Sequence, residues 1–395
     1  MEKQPSGTVT LIALGAFALG MASYVMAGLV PMIVEDFAVS VGGAGQLVTA
    51  FTLAYAIGSP VCVALLPPQR QRQGVLLALA VFTLANLASA LVTSYVALVI
   101  TRVFAGIGAG VYLALGIAAA SAVVDAPRRG KALAIVMGGM ASGTVLGVPL
   151  GLTLAERFGW TSALWTVALL GLAALMGLAL KLPPLPASAA STLGEKLAVL
   201  RDASVMRILA VSLLAAVASL GLYTYLAPVL ADPNLGGVAK ITPWLWVWGV
   251  GGVLGSFSIG PLADRMNGQT LVALIMALLT AALATLPLTA ALDARLAMVP
   301  IALWGAVGWA LQVPQNGQLL AAREGRGGGN IAVALNESAL YLGSAIGAGT
   351  GGLIFALQPD GAALCYAAAA VAGLGLLLQA GALRRRRATP ACPGS

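Results

Sequence analysis

Charge is scarce in this chain: Asp, Glu, Lys and Arg make up 9% of its 395 residues, where a soluble globular domain carries about a quarter. Histidine is absent, which removes imidazole zinc sites and Ser–His nucleophile pairs from consideration. Cysteine is rare, with Cys62 and Cys365 inside apolar runs and Cys392 near the end. That odd set has neither disulfide nor metal-ligand spacing. The terminal Cys392-Pro393-Gly394-Ser395 has the outline of a prenylation box, but Pro and Gly suit its aliphatic positions poorly, so the match reads as chance. No GxxxxGKS phosphate loop is present. With no nucleophile, metal set or paired membrane acids, neither an enzyme nor a cofactor is expected.

What is abundant is apolar sequence, at 60% of the chain. A spanning helix needs about 20 mostly apolar residues, and twelve such runs occur. Six lie at 9–34, 43–66, 74–91, 96–124, 132–154 and 162–180. Six more lie at 205–230, 241–262, 271–292, 296–320, 331–357 and 362–383. The first is too long for a signal-peptide core and is read as retained. The expectation is an all-α membrane protein with 12 transmembrane helices. Its short loops leave no room for an inserted signalling domain, which weighs against a transport-like sensor.

The net charge of +8 raises the question of nucleic acid, and the placement of the charges answers it. With the N-terminus cytoplasmic, seventeen basic residues fall in inside loops and three, Arg157, Lys240 and Arg295, in outside loops, while Arg102 stays within a span. This obeys the positive-inside rule and puts both termini in the cytoplasm. The run Arg384-Arg385-Arg386-Arg387 after the last span reads as a topology anchor touching anionic lipid heads rather than a nucleic-acid arm.

A repeat is visible. Gly143, Gly147, Pro149 and Gly151 recur as Gly343, Gly347, Gly349 and Gly351, all displaced by 200 residues. Gly28-Leu29-Val30-Pro31 against Tyr225-Leu226-Ala227-Pro228, and Gly58-Ser59-Pro60 against Gly260-Pro261, agree at nearly the same offset. The expected organisation is an N-terminal six-helix half (1–180), a cytoplasmic linker (181–204) with a short helix near 193–200, a second half (205–384) and a basic tail (385–395). A solute site is expected between the halves near mid-membrane.

At these motifs the chain resembles the drug and metabolite proton-antiporter branch of the major facilitator superfamily, especially the bacterial arabinose-efflux, purine-efflux and chloramphenicol-resistance type. Gly28 to Ser40 looks like that group's helix-one exit. Arg102-Val103-Phe104-Ala105-Gly106-Ile107-Gly108-Ala109-Gly110 resembles its helix-four arginine motif, and Arg128-Arg129-Gly130-Lys131 the loop that follows. Gly143, Gly147, Pro149 and Gly151 resemble its antiporter signature, whose value is steric, since glycines allow close helix approach and Pro bends the span. Two departures stand out. The loop Pro67-Pro68-Gln69-Arg70-Gln71-Arg72 lacks the usual acid, which Asp264-Arg265 keeps in the second half, and the helix-one position that holds an acid in many relatives is Ser23.

Individual residues carry competing readings. The resemblance implies substrate binding or proton relay for Arg102, against a structural ion pair or a snorkelling side chain. Glu337 is the acid well inside a run. There a proton and a cationic solute would compete for one carboxyl, as exchange requires, unless the helix starts late and Glu337 pairs with Arg323. Asn336 and Tyr341 extend a polar face from it. Gln312, Gln315 and Asn316 surround Pro314, as a cavity lining or as interhelical glue. Tyr24, Tyr223 and Tyr225 suit a planar ligand, whereas Trp244, Trp246 and Trp248 read as an interfacial belt. Asp264, Arg265, Arg128 and Arg129 form a cytoplasmic gate or static surface charges. The expected function is proton-coupled efflux of a small amphipathic drug or metabolite by a monomer in a bacterial cytoplasmic membrane, with proton-coupled import as the alternative.

Overall fold

The computed structural model describes residues 6–186, 193–358 and 360–388. The Cys392 motif and tail residues 389–395 lie outside them, as do linker residues 187–192. Among the described residues there is no strand. The helices are α1 (Ser6–Phe37), α2 (Val41–Leu65), α3 (Gln71–Leu91), α4 (Tyr95–Ala122), α5 (Arg129–Ser142), α6 (Val148–Phe158), α7 (Thr161–Lys181) and α8 (Leu193–Leu200). They continue as α9 (Ala203–Thr224), α10 (Leu226–Ala231), α11 (Thr242–Arg265), α12 (Gly268–Leu292), α13 (Met298–Ala310), α14 (Gln312–Ala322), α15 (Gly329–Leu357) and α16 (Gly361–Ala388). Starts are set locally where a side chain accepts an orphan N–H: Ser40 Oγ takes Gly43 N at 3.0 Å, and Asp202 Oδ1 takes Ser204 N at 2.9 Å.

Among the described residues, eleven helical stretches are long and apolar enough to cross a membrane. The predicted run 296–320 is not one of them. It is divided into α13 and α14 at Leu311, because Pro314 has no N–H for the carbonyl four residues back, that of Ala310. The same arithmetic divides the run 205–230 into α9 and α10, four residues before Pro228. It also puts Val145 inside the π-helical turn Gly143–Gly147 that joins α5 to α6 ahead of Pro149.

Glycine sets how closely these helices approach. A Cβ on Gly143 would run into the carbonyl of Phe17 on α1, and one on Gly147 would lie 2.9 Å from Met21 Cβ. In the second set, a Cβ on Gly343 would meet Val217 N at 3.1 Å, and one on Gly347 would meet Gly221 Cα at 2.7 Å. Phe17 and Val217, like Met21 and Gly221, are 200 residues apart, so the spacing repeated along the sequence is repeated in the α1–α5 and α9–α15 contacts.

The early and late helices meet closely at one end of the bundle. Glu156 Oε1 accepts from Thr242 Oγ1 at 2.8 Å and Glu156 Oε2 lies 3.5 Å from Lys240 Nζ, while Gly42 leaves room for the backbone of Gly352. At the far end Asp202 Oδ2 lies 3.3 Å from both Arg323 Nη1 and Arg326 Nη1. The Ser204 N–H first, and then the two guanidiniums, hold the Asp202 carboxyl below its ordinary value. A carboxyl whose folded value is depressed stabilises the fold above its unfolded value of about 3.9 and stops doing so as pH falls through the folded one. Asp202→Asn is therefore expected to lower the melting temperature at neutral pH, with the gap to the unsubstituted protein closing only in strong acid. A gap independent of pH would remove ionisation from this contact.

Candidate functional site

A cavity of about 110 Å³ lies between the two sets of helices, with room for several waters or a small solute. Its walls come from α1, α2, α5, α9, α11, α12, α13, α14 and α15. Among the described residues that line it, Glu337 is the only acid and there is no Lys or Arg. α15 begins at Gly329, so Glu337 lies about 12 Å along the helix. Its Oε1 is 3.4 Å from Gln312 Nε2. Arg323 bonds instead to Asp202, Gly327 O and Arg326 O, which removes the Glu337–Arg323 pair from consideration.

Around this carboxyl the structure gathers Gln312, Gln315, Asn336, Tyr341, Tyr24 and Tyr223. Gln315 donates to Ile208 O at 3.1 Å and Ser212 Oγ at 3.0 Å. Asn316 supports the wall from behind, its Oδ1 accepting from Asn336 Nδ2 at 3.0 Å. Ser23 Oγ and Tyr341 hydroxyl lie 3.4 Å apart, and Tyr341 stacks on Tyr55 with ring centres 3.5 Å apart.

Three expectations need correction. Arg102 does not line the cavity: it is fully buried, with Nη1 donating to Asn86 Oδ1 at 3.0 Å, Nη2 to Ala22 O at 3.2 Å, and its guanidinium 4.7 Å from the centre of the Phe51 ring. Its bond to Ala22 acts one residue away from Ser23, a contact that positions α1. Tyr225 is also packed away from the cavity, donating to Ala348 O at 2.6 Å. Trp248, read as part of an interfacial belt, instead lines the cavity with its ring 4.6 Å from that of Tyr223 and 6.2 Å from that of Tyr24. Asp264, Arg265, Arg128 and Arg129 are exposed, and none of them makes an ion pair among the described residues.

Arg102→Ala would leave Asn86 Oδ1 without its donor, at about 1–3 kcal/mol, and would remove the second donor of Ala22 O, which keeps its helical partner in α1. A fall in melting temperature with solute binding retained is the expected result. Lost binding at unchanged stability would return Arg102 to the site itself.

Sequence reasoning missed Trp248, Trp309, Ser212 and Ser219. A signal existed for the serines, since Ser212, Ser219 and Tyr223 recur on one face of α9 at helical spacing. Trp304 Nε1 donates to Ser219 Oγ at 2.6 Å and so orients that wall.

A multi-helix apolar bundle with one central, sparsely charged cavity is the architecture of a membrane transporter rather than of an enzyme. The family model of the Major Facilitator Superfamily matches residues 12–348, and the chain belongs to that family. It is 31% identical over 367 residues to the inner membrane transport protein YdhP of Escherichia coli K12, covering 93% of each chain. It is 36% identical over 265 residues to a chloramphenicol resistance protein of Streptomyces lividans, covering 66% of this chain and 68% of the other. The fold superposes on the xylose transporter XylE of E. coli, in a partially occluded inward-open conformation, with a TM-score of 0.73, at 16% identity over 96% of this chain and 99% of the other. The protein is thus a multi-pass membrane transporter of the Major Facilitator Superfamily, in the drug and metabolite branch, and not an enzyme.

Proposed function

We propose that the protein exports a small amphipathic drug or metabolite in exchange for protons. The observation that carries this reading is Glu337, a carboxyl alone among amides and aromatic rings in the central cavity, with no cation paired to it among the described residues. A lone carboxyl in that setting can hold either a proton or the donor groups of a solute, and the exclusion of one by the other couples their movements. The chloramphenicol resistance relative supports export of a drug-like solute.

We read α13 and α14 together as one further span, making twelve, with both termini cytoplasmic in a bacterial inner membrane. Residues 1–180 and 205–384 then act as two halves that rock about the cavity in a monomer. The contacts of Glu156 with Thr242 and Lys240 hold the outer end closed. Arg128, Arg129, Asp264 and Arg265 remain exposed at the inner end, as a gate that engages in the opposite conformation. The antiporter motif Gly143, Gly147, Pro149 and Gly151 is the surface on which α5 and α6 move against α1.

The test uses everted membrane vesicles energised to an acid interior, with a pH-sensitive dye. Gradient loss on adding one of chloramphenicol, a nucleoside, a sugar or a cationic dye, absent from vesicles without the protein, is the expected result. In unenergised vesicles loaded with solute, an interior that turns alkaline rather than acid as the solute leaves would favour import. Solute movement with no proton movement would overturn the exchange.

A further inference from the structure

One wall of the cavity carries two side-chain oxygens that no donor reaches among the described residues. Gln315 is fully buried, and its orientation is dictated by Ile208 O, which can only accept, so Nε2 must face that carbonyl. Its Oε1 is left without a hydrogen-bond partner. Asn336, 1% exposed, donates Nδ2 to Asn316, and its Oδ1 is likewise unpartnered. Glu337 adjoins Asn336 in sequence, and its carboxylate receives only the 3.4 Å contact from Gln312. All three residues line the cavity.

A buried polar atom left unsatisfied costs about 1–3 kcal/mol, and native proteins keep few of them. Among the described residues that line the cavity, two acceptors, Gln315 Oε1 and Asn336 Oδ1, and one donor, Trp248 Nε1, are left unpartnered, and the two acceptors are accounted for by a solute that brings the donors. About three helical turns from Ser212, the partner of Gln315, α9 presents Tyr223. The Tyr223 ring forms an aromatic wall with those of Tyr24 and Trp248. Trp309 continues that wall toward Gln312, its ring 6.1 Å from that of Trp248. Such a surface takes a planar apolar body.

We propose that the cavity is a subsite for an arylalkyl primary amine in its ammonium form. Gln315 Oε1, Asn336 Oδ1 and the Glu337 carboxylate take the three N–H groups of its head, and the ring rests on Tyr223, Tyr24 and Trp248. Charge alone does not select this solute. A quaternary ammonium carries the same charge and satisfies none of the orphaned acceptors. This inference rests on reading the cavity as the transport site and names the solute class for it.

The test is equilibrium binding of 4-phenylbutylamine and its N,N,N-trimethyl analogue to the full-length protein in lipid nanodiscs, followed by calorimetry. The primary amine is expected to bind at least about tenfold more tightly, a difference of about 1.4 kcal/mol. In Gln315→Leu and in Asn336→Ala that ratio should shrink toward unity. The ratio is read within each variant, so a general loss of stability does not imitate the effect. Equal binding of the two amines, no binding of either, or a ratio unchanged in both variants would each overturn the assignment. If neither amine binds but another solute collapses the vesicle gradient, the subsite falls and proton exchange stands. If the amines bind in the expected ratio without moving protons, the subsite stands and the exchange reading falls.

Discussion

Glu337→Gln is expected to reduce solute-linked proton movement to the level of vesicles without the protein, while the chain stays inserted and folded. Gln keeps the size of the side chain and its hydrogen-bond reach to Gln312, so the walls of the cavity need not rearrange. What it loses is the group that can take up and release a proton, and among the described residues no other acid lines the cavity. Glu337→Asp, which keeps the carboxyl but withdraws it by one methylene, should retain part of the coupled movement. The check is the dye-quenching assay with the level of inserted protein measured in parallel. Undiminished coupling in the Gln variant would leave the exchange with no carrier in the cavity and remove Glu337 from it.

The second large effect concerns a residue with no side chain. Gly143→Ala is expected to lower the melting temperature sharply and to cost transport, whereas Gly138→Ala, on α5, should leave both unchanged or raise stability. A Cβ at 143 meets the Phe17 carbonyl, a backbone atom of α1 that cannot rotate aside, while nothing lies within 4 Å of one at 138. Overpacking of this kind costs about 1–3 kcal/mol, and more where the obstacle is rigid. At Gly138 the substitution gains helix propensity, about 1 kcal/mol in an exposed helix interior. Gly147→Ala should fall between the two, because a Cβ there lies 2.9 Å from Met21 Cβ, which is fixed to the backbone of α1 but stands farther off than the Phe17 carbonyl does from position 143. Thermal unfolding in detergent, with transport measured on the same variants, separates these outcomes. Like behaviour at 143 and 138 would mean that the close approach of α1 to α5 is not required.

Some of the candidate site was legible in advance. Glu337 drew attention as an ionisable residue deep in an apolar run, where the cost of insertion demands a cavity or a partner. Gln312, Gln315 and Asn336 followed from the same argument applied to amides, and the structure gathers them around it. The argument reached too far with Arg102. Cost within the membrane says that a charge has partners but not which ones, and here the partners are Asn86, the Ala22 carbonyl and the Phe51 ring, away from the cavity. It reached too little with Trp248, since three tryptophans near a helix start have the composition of an interfacial belt whether they face lipid or solute. The division of the run 296–320 was half legible: Pro314 announced a disturbance, and the separation into α13 and α14 is its result.

The sequence by itself determined the helical membrane class, the positions of nearly all the spans and the repeated glycine spacing. These depend on local hydropathy and on small residues recurring at fixed intervals, both of which are properties of the chain in one dimension. Only the tertiary structure decided which polar residues share a cavity, that Tyr225 and Arg102 are packed behind it, and that Trp248 is exposed to it. Those outcomes depend on how far each helix is rotated about its own axis. In a span that is apolar all round, that rotation is set by the fit of glycines such as Gly143 and Gly347 against neighbouring backbones, and no periodicity along the chain records it.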